Sequence, residues 1–439
     1  MTGWSLNGKR VVVGGLGRSG RSACKLAVRS GAARVIALEH RTPDNLPRGL
    51  DAVFREPPDG LFDSTDLFVV SPGLPSTHPW IQSAKEAGVA IVGELALAAS
   101  HLTCPLIAIT GTNGKSTVTT LAAQVAAQAG LRVFEGGNLG VPLSDAVLDG
   151  GAWDIAVVEV SSYQMEWPGE FKPSAGVVLN VTPDHLARHG DMETYAATKM
   201  RIFDRMDTDG SALLPGRQET LGTHYRGRAP LAWMGGGPGV ELVGDDACLT
   251  WHRREPARVS LNGLALQGEH NRWNMAVALW LVGTLGVSQR TLVASVPQVR
   301  GLAHRMESLG EREGVLWIND SKATNVEAAE VAIRGVERSC VILLGGEAKG
   351  PGYTRLLQHL TRHRAVVAFG GSRALVASEL AGCALPMFSE ATLEGAVLRA
   401  RTLATPGDGV LLTPGGASFD AFRNFEHRGE VFRHLVEGA

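Results

Sequence analysis

The sequence predicts an α/β fold of three domains, each built on a mainly parallel sheet. Short apolar runs alternate with helical stretches, many of the 54 glycines follow those runs directly, and the chain is 439 residues long. Buried parallel strands read as continuous apolar runs, and glycine marks the turn from strand to helix. At roughly 100–200 residues per domain, three domains are the first expectation. We place them at residues 1–95, 96–301 and 302–439.

Apolar runs predict the strands of each domain. Those of the first are Arg10–Gly14, Arg34–Leu38, Leu67–Ser71 and Val89–Val92, with a helix over 19–30. Those of the second are Leu106–Thr110, Ile155–Val160 and Gly176–Val181, followed by a polar, β-rich insertion at about 210–268 and a helix over 271–285. Those of the third are Val315–Asn319, Val341–Leu344, Ala365–Phe369 and Gly409–Thr413. Alternation of strands with helices indicates parallel sheets with crossover connections.

Composition and charge exclude several classes of function. The net charge is −2, so we expect no binding of nucleic acid or membranes through bulk charge. The five cysteines are scattered, without CxxC pairs or zinc spacing, as in a reduced cytosolic protein. No apolar run is long enough to span a membrane, and the first ten residues do not resemble a secretion signal. We therefore expect a cytoplasmic protein.

A GxGxxG motif at Gly15–Gly20 follows the first strand and opens a helix, and Glu39 ends the next strand. This is the pattern of a dinucleotide-binding, Rossmann-like domain. The glycines permit a tight turn and close approach of a phosphate to the helix N-terminus, which any nucleotide diphosphate could use. A nicotinamide cofactor and another nucleotide remain open at this point, as does a role in packing alone.

The second domain carries a sharper signal, the sequence TGTNGKST at 110–117, between an apolar strand and an Ala-rich helix. A phosphate-binding loop needs inward-facing N–H groups, a lysine for the phosphate oxygens and a hydroxyl for Mg²⁺. Lys115 and Ser116 supply the last two. The first glycine of the standard pattern would fall at Ile109, so the loop is a shorter variant.

Polar residues follow three strands of the second domain. Ser116 lies beyond the first strand, Glu159 and Ser161 close the second, and Asp184 and His185 come just after the third. Carboxyl ends of parallel strands share one edge of a sheet, so we expect these groups to meet beside the phosphates. Hard cations take oxygen ligands, and the set predicts a magnesium site.

Several segments resemble the Mur ligases, the ATP-dependent amino-acid ligases of peptidoglycan synthesis. The central-domain matches are ITGTNGKST, GGNLG (136–140), VVEVSSYQME, NVTPDHLARH (180–189) and YAATK (195–199). Later matches are GEHNRWN (268–274), AHRME (303–307), NDSKATN (319–325), LLGGEAKG (343–350) and ASFDAFRNFEHRG (417–429), which resemble the member that adds D-glutamate. The resemblance covers nearly the whole chain. It implies a first domain that holds a UDP group rather than a nicotinamide.

The resemblance also implies roles for single residues. The nucleotide-binding set is Gly111, Thr112, Asn113, Gly114, Lys115, Ser116, Thr117, Asn274, Arg305 and Asp320. Two Mg²⁺ ions are implied, held by Ser116, Glu159, His185 and a carbamylated Lys199, and Lys115, Glu159, His185 and Lys199 form the implied catalytic set. A carbamate suits the position, because a lysine ammonium would be repelled by two cations whereas its carbamate is an anion.

The implied substrate-binding set falls into two groups. The UDP-linked substrate is assigned Gly17, Arg18, Ser19, Glu39, Ser71, Asn138 and Ser161. The incoming glutamate is assigned Lys322, Thr324, Lys349, Ser418, Phe419 and Phe425, since two carboxylates need cationic and hydroxyl donors. The sequence Thr413-Pro414-Gly415-Gly416 departs from the SPA-type family pattern, which leaves the stereochemistry of the glutamate open.

The resemblance implies a monomeric ligase that forms an acyl phosphate on UDP-N-acetylmuramoyl-L-alanine and then adds D-glutamate. Three alternatives stay open. They are the same ligation with L-glutamate, a nicotinamide-dependent oxidoreductase, and a nucleotide-sensing module without turnover. The oxidoreductase would leave the phosphate loop and NDSKATN without a role, and the sensing module would explain only the phosphate loop.

Overall fold

The structure, a computed structural model, describes residues 4–41, 46–266, 268–348, 350 and 352–438. The chain forms two compact units. The first contains the chain up to Asn262 together with Asn274–Val296, and the second contains Gly263–Trp273 together with the chain from Pro297 onward. The domain limits that we place at residues 95 and 301 stay a prediction.

The first sheet of the first unit is wholly parallel over the described residues, with strand order β3-β2-β1-β4-β5. Its strands are β1 (Arg10–Gly14), β2 (Arg34–Leu38), β3 (Ala52–Phe54), β4 (Leu67–Val70) and β5 (Ala90–Gly93). The helices between and after them are α1 (Arg18–Arg29), α2 (Pro79–Glu86) and α3 (Glu94–Ala99). The strand order reverses between β1 and β4, which is where open α/β sheets bind ligands.

The second sheet of the first unit has the order β14-β13-β12-β11-β10-β9-β6-β8-β7 among the described residues. Its strands are β6 (Leu106–Thr110), β7 (Val133–Gly137), β8 (Ile155–Glu159), β9 (Ala175–Val178), β10 (Ser211–Pro215), β11 (Leu231–Met234), β12 (Gly239–Val243), β13 (Asp246–Trp251) and β14 (Arg254–Ser260). The strands from β7 to β12 pair in parallel, and β12, β13 and β14 form an antiparallel edge. The accompanying helices are α4 (Lys115–Gln128), α5 (Leu143–Leu148), α6 (Leu186–His189), α7 (Met192–Met200), α8 (Glu269–Gly283) and α9 (Gln289–Ser295).

The sheet of the second unit has the order β15-β16-β20-β17-β18-β19 in the described chain, and only the β15–β16 pair is antiparallel there. Its strands are β15 (Glu307–Arg312), β16 (Val315–Asn319), β17 (Cys340–Gly345), β18 (Ala365–Phe369), β19 (Met387–Glu390) and β20 (Gly409–Gly415). Its helices are α10 (Val326–Gly335), α11 (Leu357–Leu360), α12 (Arg373–Glu379), α13 (Leu393–Leu403) and α14 (Phe425–Glu437).

The predicted fold class is confirmed, since each of the three sheets is mainly parallel and flanked by helices. The central strands are fully buried, as their continuous apolar runs require. Several helices begin at the cap residues that such helices prefer. Asp191, Asn325 and Asn424 each accept the N–H three residues ahead, which satisfies a donor that the first turn leaves open.

No helix among the described residues combines the length and the apolar character that crossing a membrane requires.

The glycines of the GxGxxG turn differ in how closely the chain packs around them. A Cβ at Gly20 would lie 1.8 Å from the carbonyl oxygen of Gly15, whereas a Cβ at Gly17 would meet no atom within 4 Å. We expect Gly20→Ala to destabilise the first sheet by roughly 1–3 kcal/mol, because backbone must move to admit the methyl group.

Hydrogen exchange of the amides of β1 and α1 measures this effect locally, since a chain of several domains does not unfold in one step. Gly17→Ala is the matched control, and we expect it to cost less than about 1 kcal/mol. Equal losses in the two variants would contradict this account of the turn.

Candidate active site

The phosphate loop joins the central strand β6 to helix α4. Its backbone needs glycine at two positions, since Gly111 has φ of 149° and Gly114 has φ of 84°. Space is also short, because a Cβ at Gly111 would lie 3.0 Å from the Leu179 side chain and one at Gly114 would lie 3.1 Å from Asn274 Oδ1. The loop therefore fits closely against the residues that follow β9 and against Asn274 of α8, all within the first unit.

Residues after β9 hold the loop in place. The Thr112 N–H donates to the Asn180 carbonyl at 2.9 Å, and the Asn113 N–H donates to Asn180 Oδ1 at 2.9 Å. Thr112 Oγ1 accepts the Thr182 N–H at 3.0 Å and lies 3.2 Å from the Tyr195 hydroxyl. The loop is thus held in place by contacts within the protein, which is the preorganisation that an anion site requires.

Two lysines meet at the loop. Lys115, the first residue of α4, donates to the carbonyl oxygens of Gly111 at 3.0 Å and Thr112 at 2.9 Å. Lys199, on α7, donates to the same Gly111 oxygen at 2.8 Å and is only 1 % exposed. Burial and the Lys115 charge lower the pKa of Lys199 to about 7, against the opposing charges of Asp184 and Glu159.

Glu159 ends β8, beside β6 in the sheet. Its side chain is 3 % exposed, and Oε1 accepts Asn138 Nδ2 at 2.6 Å. Oε2 is buried and has no hydrogen-bond partner within the described part of the chain. Ser116 and Thr117 are buried in the first turn of α4, and Ser161 donates through N and Oγ to Gln164 Oε1 at 2.8 and 3.0 Å. A buried carboxylate oxygen without a protein partner fits a role in binding a cation.

His185 follows β9 and caps α6 with a left-handed backbone, φ 54°. Its Nδ1 lies 3.2 Å from the Tyr163 hydroxyl, and its Nε2 lies 3.4 Å from Asp184 Oδ2. The ring is half-exposed. A left-handed backbone is uncommon for residues other than glycine and is typical of functional sites. Sequence reasoning missed Tyr163, although it lies in the quoted VVEVSSYQME segment.

Hard oxygen donors suit Mg²⁺. The buried Oε2 of Glu159 and the hydroxyl of Ser116 are such oxygens, both placed at the edge where β6 and β8 end. Within the described ranges, no group of three or more His, Cys, Asp or Glu side chains is arranged to hold a metal ion. The residues present fit a cation whose remaining ligands are phosphate oxygens and water.

Five of the seven predicted UDP-site residues follow β1, β2 and β4, whereas Asn138 and Ser161 follow β7 and β8 of the second sheet. Glu39 accepts the Leu16 N–H at 2.7 Å and the Arg41 N–H at 3.2 Å, so its carboxylate closes the GxGxxG turn. Ser71 donates to the Gly15 carbonyl at 3.2 Å. Gly17 is exposed and Ser19 half-buried, and Arg18 donates to the Gly140 carbonyl at 3.0 Å, next to the GGNLG segment that carries Asn138. These contacts join the two loops within the first unit.

Asp320 follows β16 in the second unit and is buried. Its carboxylate accepts the Met306 N–H at 3.1 Å and the Thr413 hydroxyl at 3.2 Å. Burial raises the pKa of Asp320 to about 7, although the Arg305 charge opposes the shift. Thr413 begins the segment that departs from the family pattern. Its hydroxyl donates a hydrogen bond to the buried Asp320 carboxylate.

The described residues of the predicted glutamate site follow β16 and β20, two strands that pair in parallel. Lys322 Nζ lies 5.5 Å from the centre of the Phe425 ring, Thr324 is half-buried and Ser418 is buried. Phe419 is 70 % exposed. Lys349 lies outside the described residues. The roles of these side chains stay a prediction.

The two glycines that depart from the family pattern also lie there. Gly415 has φ of 69°, and a Cβ at Gly416 would lie 2.7 Å from the Gly345 carbonyl oxygen. Arg428, fully buried, donates to the carbonyls of Ser321 at 2.8 Å and Gly416 at 3.1 Å. Sequence reasoning missed Arg428, which ties the segment after β16 to the segment after β20.

Three family models match the chain. They are the Mur ligase MurD-like N-terminal domain at residues 9–93, the Mur ligase middle domain at 109–230 and the Mur ligase glutamate ligase domain at 304–416. A protein of Myxococcus xanthus named UDP-N-acetylmuramoylalanine--D-glutamate ligase is 38 % identical over 99 % of each chain. The chain belongs to the Mur ligase family.

Other relatives of this Mur ligase agree. A protein of the same name from Anaeromyxobacter dehalogenans is 38 % identical over 98 % of each chain. Among solved structures, the MurF ligase of Thermotoga maritima in complex with ADP has a TM-score of 0.60 at 19 % identity, covering 99 % of each chain. The UDP-N-acetylmuramate-alanine ligase MurC of the same organism has a TM-score of 0.58 at 15 % identity, covering 98 % of this chain and 99 % of that one. At these identities the solved structures support the fold of this Mur ligase.

Proposed function

We propose that this Mur ligase uses ATP to join D-glutamate to the alanine carboxylate of UDP-N-acetylmuramoyl-L-alanine, in the synthesis of peptidoglycan precursors. The observation that carries the proposal is the 38 % identity, over 99 % of both chains, to a ligase named for this reaction. The phosphate loop, with Lys115 and the buried Lys199 beside it, supplies the chemistry that the reaction needs. Its substrates are small molecules, and we propose that the enzyme acts as a cytoplasmic monomer.

The first step forms an acyl phosphate. A carboxylate oxygen of the alanine bonds to the γ-phosphorus of ATP as the bond from that phosphorus to the β,γ-bridging oxygen breaks, releasing ADP. The phosphate-loop N–H groups and Lys115 hold the phosphates, and catalysis of such a transfer consists mainly of positioning and charge stabilisation. Asn274, Arg305 and Asp320 would hold the rest of the nucleotide.

In the second step, the glutamate amine attacks the acyl carbon. A tetrahedral intermediate forms and collapses, the carbon–oxygen bond to phosphate breaks, and the amide and inorganic phosphate are released. The glutamate, whose two carboxylates need cationic and hydroxyl donors, would be held by Lys322, Thr324, Lys349, Ser418, Phe419 and Phe425. Gly17, Arg18, Ser19, Glu39, Ser71, Asn138 and Ser161 would hold the UDP-linked substrate.

Two Mg²⁺ ions would be bound by the residues at the ends of the strands. Ser116 and Glu159 would hold one, a fit supported by the buried Glu159 oxygen that lacks a partner. His185 and a carbamylated Lys199 would hold the other. When bound, the ions neutralise the charge that develops on the transferred phosphoryl group. Asn138 would fix the Glu159 carboxylate through its 2.6 Å hydrogen bond.

The oxidoreductase alternative is not favoured. An oxidoreductase would leave the phosphate loop and the NDSKATN segment without a role. The curated relatives reported above are likewise named as ligases of D-glutamate.

The reaction can be tested by measuring phosphate release from ATP and Mg²⁺ with UDP-N-acetylmuramoyl-L-alanine and D-glutamate, L-glutamate or neither. We expect release that depends on D-glutamate and falls by at least about 100-fold in Lys115→Ala, because the lysine stabilises the transferred phosphoryl group. Phosphate release with L-glutamate but not with D-glutamate would contradict the assigned stereochemistry and point to the Thr413–Gly416 segment as its cause. Phosphate release that needs no amino acid, or no phosphate release in any of the three mixtures, would contradict the ligase proposal.

The carbamate on Lys199 is proposed from the position of the side chain. Its amine is buried beside Lys115, and an anionic form would relieve the repulsion between the two cations. The step forms a bond between Nζ of the neutral amine and the carbon of CO₂, with loss of one proton from nitrogen.

We expect enzyme equilibrated with ¹³C-bicarbonate to show a carbamate carbon resonance by NMR. Lys199→Met, which keeps an unbranched side chain one atom shorter and removes the amine, should lack that resonance and the ligase activity. The matched control Lys172→Met changes an exposed lysine paired with Asp207, and should keep both. A spectrum without a signal specific to Lys199 would contradict the modification.

A further inference from the structure

Arg188 connects three parts of the first unit but is absent from the residue roles assigned above. It lies on α6, three residues after His185. Its guanidinium forms a two-pronged ion pair with Glu166, with Nε to Oε1 at 2.8 Å and Nη2 to Oε2 at 2.9 Å. Both side chains are mostly buried, at 16 % and 13 % exposure. A buried ion pair contributes little net stability and is costly to break. This pair is therefore a candidate for a role in positioning.

The first connection runs to the loop after β4. Arg188 Nη2 donates to the Leu74 carbonyl at 2.7 Å and approaches the Pro72 carbonyl at 3.4 Å. This loop begins at Ser71, which we assign to the UDP-linked substrate. A change in the loop on substrate binding would therefore reach the guanidinium directly.

The second connection runs to His185. The guanidinium carbon of Arg188 lies 4.8 Å from the centre of the Tyr163 ring, and the Tyr163 hydroxyl lies 3.2 Å from His185 Nδ1. The Tyr163 and His185 rings are 5.1 Å apart, centre to centre. The partner of one imidazole nitrogen fixes the orientation of the ring and which nitrogen is free to bind a metal.

We propose that Arg188 and Tyr163 are positioning residues. They link the binding of the UDP-linked substrate at the Ser71–Leu74 loop to the orientation of the His185 ring. Binding of that substrate thereby orients His185 to bind the second metal ion. The proposal rests on the proposed function, which gives the loop and His185 their ligands. Lysine could not replace Arg188. The planar guanidinium pairs with both Glu166 oxygens and at the same time donates to the carbonyl of the loop, whereas an ammonium lacks this forked geometry.

The test measures coupling between two binding events and needs no turnover. Binding of Mn²⁺ with ADP is followed by electron paramagnetic resonance, with and without saturating UDP-N-acetylmuramoyl-L-alanine. Binding of that substrate to metal-free enzyme is followed by calorimetry. In the wild type we expect the substrate to tighten Mn²⁺ binding at least about fivefold, and by linkage Mn²⁺ to tighten substrate binding by the same factor.

Three variants locate the coupling. Arg188→Lys should weaken substrate binding and abolish the coupling, whereas Tyr163→Phe, which removes one hydroxyl, should leave substrate binding to metal-free enzyme unchanged and still reduce the coupling. Arg205→Lys is the matched control, since its 3.2 Å ion pair with Glu170 is exposed, and it should keep the wild-type factor.

Retention of the wild-type coupling by either Arg188→Lys or Tyr163→Phe would overturn the proposal, as would a wild type without coupling. If Arg188→Lys fails to fold, Tyr163→Phe decides alone. The failure of the proposed function is distinguishable, because it would appear as no binding of UDP-N-acetylmuramoyl-L-alanine at all, whereas binding without coupling contradicts only the positioning role.

Discussion

Two lysine ammonium groups, those of Lys115 and Lys199, donate to one carbonyl oxygen, that of Gly111. Two cations held this close repel each other, and burial of Lys199 strengthens the repulsion. Burial of Lys199 and repulsion from Lys115 together lower the pKa of Lys199 to about 7, and the carboxylates of Asp184 and Glu159 offset only part of this shift. The site is therefore built to receive negative charge. A triphosphate supplies that charge from outside, and a carbamate would supply it from Lys199 itself.

The parallel sheet makes this convergence possible. β6 lies between β8 and β9, so the phosphate loop, Glu159 and the segment leading to His185 leave the sheet at one edge. Each is then held by contacts within the protein, such as those from Asn180 to the loop and from Asn138 to Glu159. A rigid edge of this kind lowers the cost of ordering the site around a transition state. In the first sheet the strand order reverses between β1 and β4, and the loops that follow these two strands likewise leave the sheet at one edge.

The sequence predicts much of this arrangement because its signals are local. Continuous apolar runs identify β1, β6 and β16 at their observed limits, and the TGTNGKST segment identifies the loop. The strands β3, β7, β15 and β19 were not predicted, because they are short or lie at sheet edges and lack a continuous apolar run.

The contacts that organise the site were not predictable in the same way. Asn138 meets Glu159, Tyr163 meets His185, and Thr413 meets Asp320 across separations of about 20 to 90 residues, with no periodic pattern to mark them. Arg188 reaches across more than 100 residues to the loop at Pro72–Leu74. Roles for Lys199, Lys322 and Phe425 came from family resemblance alone. Tertiary contacts of this kind become visible only when the strands are assembled into a sheet.

The central claim is that the alanine carboxylate becomes an acyl phosphate before the amide forms. Its most direct test uses UDP-N-acetylmuramoyl-L-alanine labelled with ¹⁸O in the terminal carboxylate, followed by mass analysis of the released phosphate. The account predicts one labelled oxygen in each phosphate, because the oxygen that bonds to phosphorus leaves with it when the amine attacks. Unlabelled phosphate, released together with the amide product, would contradict the account.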